Sequence, residues 1–161
     1  MKRIQSQGIG SFVKTAVRVR RVSSKKELAQ AFAIRMRVFV REQGVPAEIE
    51  LDRDDRRAIH LLAFAAGKSV GTARVVLRHG SAKIGRMAVL KSYRGIGVGL
   101  KLLKRAIATA KIKRARRIYL HSQVPVIGFY ESSGFRALGP VFDEAGIPHR
   151  KMTWTNRSPA R

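Results

Sequence analysis

An α+β fold, with strands crowded into the first half and a strand–loop–helix–strand–helix unit in the second, is what this chain predicts. Three observations predict it. Short apolar runs between Ile59 and Leu90 are punctuated by turn residues at Gly67 and Lys68 and at His79 to Ser81, as strands are, whereas Leu100, Leu103, Ile107 and Ala110 recur at helical spacing. A length of 161 residues, 45% of them hydrophobic, suits a single core, and no internal repeat or linker divides it. Residues 16–154 are expected to form that one domain, between a basic extension over 1–15 and a frayed tail over 155–161.

Taken in order, Ala16 to Val22 alternates like a strand, and Ser24 to Glu27 has the spacing of a capping box that opens a helix. Leu28, Phe32, Met36 and Phe39 give that helix an apolar stripe, and Gly44 and Pro46 should end it. An acidic loop follows, with one short helical turn around Asp52 to Arg56. Two strands joined near Gly67 and Lys68 come next, then a turn at His79 to Ser81 and a further β segment from Ala82 to Leu90. Three consecutive antiparallel strands are the simplest arrangement. Beyond the glycines of "RGIGVG", the helix carrying Leu100 to Ala110 leads into a strand at "RRIYLHS" and a short helix in "VPVIGFYESSGF" that Gly134 closes. Two last strands flank the loop containing Gly146 and Pro148.

Charge is the loudest global property: +24 formally, with a sequence pI near 11.8. Such a balance suits polyanions, but the basic residues are spread along the chain and no basic–aromatic track is present, so nucleic acid is open without being favoured. The absence of cysteine excludes disulfides and thiol nucleophiles, and four scattered histidines lack metal-ligand spacing, so no metal is expected. No apolar run spans a bilayer and the N-terminus lacks a secretory core, which makes the cytoplasm the expected location and no membrane partner expected. Six of the ten acids, Glu42, Glu48, Glu50, Asp52, Asp54 and Asp55, fall inside "REQGVPAEIELDRDD". They either attract a cation as a group or pair with neighbouring arginines.

The glycines at 95, 97 and 99 open a helix, where backbone N–H groups and the helix dipole favour an anion. The loop lacks the G-K-[ST] of a P-loop and the G-x-G-x-x-G of a dinucleotide fold, and no acid follows at ribose distance. A pyrophosphate cradle with Arg94 at its entrance remains.

"YRGIGVGLKLLKRAI" resembles the coenzyme A loop of the GNAT superfamily of N-acetyltransferases, whose pattern is Gln or Arg, two residues, Gly, one residue, Gly or Ala; Arg94, Gly97 and Gly99 fill it. "KIGRMAVL" matches the preceding strand and "FYESSGF" the helix that supplies a tyrosine, and the match runs in segment order over nearly all of Ala16 to Trp154, most like a small bacterial single-domain subgroup. The resemblance implies a mixed, mostly antiparallel sheet flanked by helices, with a splayed central strand pair. It implies acetyl-coenzyme A as co-substrate, its diphosphate held by the main chain of Gly95, Ile96, Gly97, Val98, Gly99 and Leu100 beside Arg94, and its arm laid along Met87 and Val89. Phe129 belongs to the same coenzyme side, and Gln123 stands where the family commonly has asparagine. Tyr130 matches the proton donor to the departing thiolate. No acid occupies the strand before the cradle, so His60, His121 or a loop carboxylate working through water is left as the base, or the amine arrives already neutral. Glu42, Glu50, Asp52 and Arg86 are the expected acceptor contacts, for a small-molecule or peptide amine acceptor, with a homodimer left open. Two other readings stand beside this one: an acyl-homoserine lactone synthase-like acyltransferase, suggested by "RMRVFVREQG" with its following acids, and a non-enzymatic basic RNA- or ribosome-associated module on the same fold.

Overall fold

Short alternating segments joined by tight turns build a sheet strand by strand, and here they build one of seven strands in the order β1-β2-β3-β4-β5-β7-β6. The computed structural model describes residues 15–155; the expected extension and tail lie outside them, save for Thr15 and Thr155. The strands are β1 (Val17–Arg21), β2 (Ile59–Ala65), β3 (Lys68–Arg78), β4 (Ser81–Val89), β5 (Arg117–Gln123), β6 (Phe135–Glu144) and β7 (Ile147–Trp154). The helices are α1 (Lys25–Arg35), α2 (Ala47–Glu50), α3 (Val98–Ile112) and α4 (Ile127–Glu131). All strand pairs are antiparallel except β4 with β5, which run parallel because α3 crosses over between them.

That parallel pair is zipped only from Ser81 to Ile84 against Arg117 to Leu120. Beyond it the two strands part, so the expected splay is present, and the β5-facing main chain of Gly85 to Val89 has no partner strand among the described residues. Just where the parting begins, β4 carries an extra residue: Arg74 faces Gly85 while Thr72 faces Ala88. This bulge turns Arg86 into the left-handed region at φ 48° and swings its side chain toward the acidic loop.

Each sheet face has its own cover. Leu102, Leu103 and Ala106 of α3 are wholly buried against one face, and Gly71 on β3 makes room for them: a Cβ there would lie 3.0 Å from both Leu102 Cδ1 and Val98 Cγ1. Leu100, counted from the sequence in the α3 stripe, instead faces outward. On the opposite face α1 packs Ala31, Ile34 and Val38 onto Leu62 and Ala88.

The stripe of α1 differs from the one read in the sequence. Leu28, Phe32, Met36 and Phe39 are only half buried, while residues 31, 34, 35 and 38 go deepest. The inward face includes a charged residue, Arg35, which hydropathy counts as outward. Ser24 caps α1 as expected, its Oγ accepting from the Glu27 N–H, but the Glu27 carboxylate accepts from the Ser23 N–H one residue earlier. Past Arg35 the helix widens into π-helical turns from Met36 to Glu42 before Gly44 ends it. Among the described residues no helix is long and apolar enough to cross a membrane.

Candidate active site

The parting of β4 from β5 opens a cavity of about 920 Å3 that runs through the sheet from the glycine loop to the acidic segment. At its first end, Gly95 and Gly97 take φ of 78° and 89°, conformations that glycine adopts without strain. A Cβ at either position would meet nothing within 4 Å, so that space is open. The N–H groups of residues 95 to 100 donate to no protein acceptor among the described residues, and Gly97 caps α3 without a side-chain bond. A run of unpaired N–H groups at the positive end of a fifteen-residue helix fits a diphosphate. Gly99 touches a second element: its Cβ would come 3.5 Å from the Phe129 ring. Arg94 donates from Nε to the Val89 carbonyl at 2.9 Å and from its other end to Glu42 at 2.8 Å. Glu42, expected among the acceptor contacts, therefore sits beside the glycine loop. Gln123 donates to the Gln43 side chain at 2.7 Å on the cavity wall.

Midway along, Tyr130 of α4 reaches across the gap, its hydroxyl 3.7 Å from the Met87 sulfur. Edge-on contacts with Phe129 and Phe135 hold the ring. Burial pushes the phenol up to about 12, so it stays protonated at neutral pH.

At the far end lies a dense charge network. Arg35, 1% exposed, donates to Glu50 Oε1, to both oxygens of Asp55 and to the Glu50 carbonyl. Arg74 donates to Asp52 and Asp55, and Arg86 to Asp52 and the Glu50 carbonyl. Burial would raise the Asp55 carboxyl, but the bonds from Arg35 and the Asp52 N–H override it and hold Asp55 well below the carboxylate range. The acidic cluster is thus charge-balanced, and Glu50, Asp52 and Arg86 reach the cavity wall already paired.

The two histidines expected as the base part company. His60 is buried behind this network, its Nε2 2.9 Å from the Asp55 carbonyl and its Nδ1 without a partner among the described residues, and it does not line the cavity. Burial pushes its pKa down. His121 does line the cavity, and its Nδ1 lies 3.0 Å from Glu144 Oε1. A carboxylate only accepts, so Nδ1 carries the proton and Nε2 holds the ring's lone pair in the neutral form. His149 sits 3.5 Å from the other Glu144 oxygen, its Nδ1 against the Ile147 carbonyl. The bond from His121 holds the Glu144 carboxyl down to about 2. Sequence reasoning passed over Glu144 and Lys83, which both line the cavity. The tight β6–β7 turn, which puts Glu144 opposite Ile147, was the available signal for Glu144; the β5–β7 register that sets His149 beside Gln123 exists only in the folded sheet.

Residues 19–156 match the family model described as the acetyltransferase (GNAT) domain. The chain belongs to the GNAT acetyltransferase family. Relatives agree. The uncharacterized N-acetyltransferase YjcF of Bacillus subtilis is 37% identical over 130 residues, covering 80% of this chain and 93% of its own. ElaA of Escherichia coli is 31% identical over 135 residues, covering 80% and 88%. The ElaA crystal structure superposes with a TM-score of 0.76 at 28% identity, covering 88% of this chain and 99% of that one. A Pseudomonas aeruginosa acyl-CoA N-acyltransferase gives the same TM-score of 0.76 and the same 28% identity. GNAT proteins are acyl- or acetyltransferases that use acetyl- or acyl-coenzyme A and act on small-molecule or peptide acceptors, and the cradle, parted strands and cavity of this GNAT chain fit such a donor.

Proposed function

We propose that this GNAT protein transfers an acetyl group from acetyl-coenzyme A to a primary amine within a ternary complex, a carbon–nitrogen bond replacing the carbon–sulfur bond. The observation that carries the reading is the run of unpaired N–H groups at residues 95 to 100, opening onto a cavity whose other end is polar. Bound there, acetyl-coenzyme A supplies the activated acyl carbon. The glycine loop grips its diphosphate, and the unpaired edge of Gly85 to Val89 accepts its arm as an added strand. Main-chain N–H groups on that edge polarise the carbonyl. Tyr130, neutral until about pH 12, gives its hydroxyl proton to the departing thiolate and regains one from solvent. His121, aligned by Glu144, removes the acceptor's proton at Nε2, directly or through one water.

Thiol release from acetyl-coenzyme A against a panel of amines tests this. Gly97→Glu should abolish coenzyme binding in calorimetry, because a carboxylate would fill the cradle. Tyr130→Phe should bind the coenzyme normally and lose roughly 100-fold in kcat, the low end of general acid catalysis. Coenzyme binding that survives Gly97→Glu would refute the reading.

A further inference from the structure

The acceptor end of the cavity holds a charge with no answer. Each carboxylate on the wall is already met: Glu50 by Arg35 and Arg86, Asp52 by Arg74 and Arg86, Asp54 by Arg78, and Glu144 by His121 and His149. Each wall arginine is met in turn, with Arg94 on Glu42. Lys83 is the exception. It lines the cavity, is half buried, and has neither hydrogen-bond nor ion-pair partner among the described residues. From its geometry we infer that the acceptor is an amine that also carries an anionic group, carboxylate or phosphate, seated on Lys83. This inference rests on the acyltransferase reading above and narrows its substrate class.

Strand register supports the placement. Lys83 stands opposite Tyr119 in the zipped part of the β4–β5 pair, and His121 lies two residues further along β5, hence on the same face. Strand spacing and rise put their Cα atoms about 8 Å apart on the diagonal. Both side chains line the cavity, so a small molecule whose amine and anion are a few bonds apart can span them: the anion on Lys83, the amine at the His121–Glu144 pair. Burial also pushes the Lys83 ammonium below the usual lysine range, with Glu144 the main charge working against that effect. An incoming anion would restore the charged form and would displace no existing ion pair. A purely cationic acceptor would meet only carboxylates that arginine or histidine already engages.

The test pairs acceptors that differ only in the anion: amino acids against their amides, and aminoalkyl phosphates against the matching amino alcohols. Thiol release is followed for wild type, Lys83→Gln and Lys83→Arg, and calorimetry follows binding of the N-acetylated forms to coenzyme A-loaded protein. Wild type should prefer the anionic member of a pair by about 10- to 100-fold, the effect of one charge-assisted hydrogen bond in a half-buried site. Lys83→Gln should erase that preference by raising KM for the anionic member, leaving the neutral member and the KM for acetyl-coenzyme A unchanged, and Lys83→Arg should recover most of it. The carboxylate and phosphate arms show which anion is read. Equal use of both members, a preference that survives Lys83→Gln, or acetylated anions that fail to bind the loaded protein would overturn the inference. Failure of wild type to bind acetyl-coenzyme A would strike the acyltransferase reading instead.

Discussion

Replacing Arg35 with methionine keeps an unbranched apolar stem out to the ε position and removes the guanidinium, which breaks the buried network from one side. Four hydrogen bonds disappear, to Glu50 Oε1, to the Glu50 carbonyl and to both Asp55 oxygens. The side chains left behind are 3% and 8% exposed, so water cannot replace the lost donors. Asp55 keeps Arg74 and the Asp52 N–H; Glu50 keeps only Arg86, at 3.3 Å. Breaking a buried pair from one side costs about 3–5 kcal/mol. Against a total stability of about 5–15 kcal/mol that is a large fraction. At roughly 2–4 °C per kcal/mol for a chain of this size, the melting temperature should fall by about 6–20 °C. Urea unfolding should show a lower midpoint at unchanged slope. Adding Glu50→Gln to Arg35→Met should cost less than the sum of the two single changes, since the carboxylate that needed Arg35 has gone. A stability of Arg35→Met within about 1 kcal/mol of wild type would refute the reasoning, by showing that desolvation of the network cancels its attraction.

Other perturbations read other parts of the structure. Gly71→Ala should destabilise by roughly 1–3 kcal/mol in urea unfolding, because the new methyl lies 3.0 Å from two α3 side chains and 3.2 Å from the Ala88 carbonyl. Acid should unfold the protein in a defined window. Asp52, Asp55 and Glu144 all have folded-state values below the ordinary ones, so the unfolded chain binds more protons there and stability rises with pH. Their contribution is complete above about pH 5 and is lost as pH falls toward about 2, which calorimetric melting temperatures across that range should trace. Glu144→Gln should leave coenzyme binding intact and lower kcat by roughly 10- to 100-fold, because His121 loses the carboxylate that orients its ring. An unchanged kcat would mean that the His121–Glu144 pair does not take the proton.

Element order and the glycine loop were legible in the sequence, because each depends on local signals; the parting of β4 from β5 was expected only from the family resemblance. Turn residues, periodicity and the backbone freedom of Gly95 and Gly97 act over a few positions. The apolar runs between Ile59 and Leu90, broken at Gly67 and at His79 to Ser81, lie where the strands are, and the family pattern in "RGIGVG" pointed to the mouth of the cavity that the structure contains. The inner face of α1 was misread for a physical reason: a buried arginine scores as polar, so the stripe through Arg35 was invisible to hydropathy.

By itself, then, the chain determined its elements, their order and the loop at the helix mouth. Tertiary structure alone decided which charges are spent on one another and which stand unanswered. Arg35 meets Glu50 across 15 positions, Arg74 meets Asp52 across 22 and His121 meets Glu144 across 23, and none of these spacings has a period. Whether a carboxylate attracts a ligand or is silenced by an arginine depends on a few ångströms in space, and only the folded sheet sets that distance.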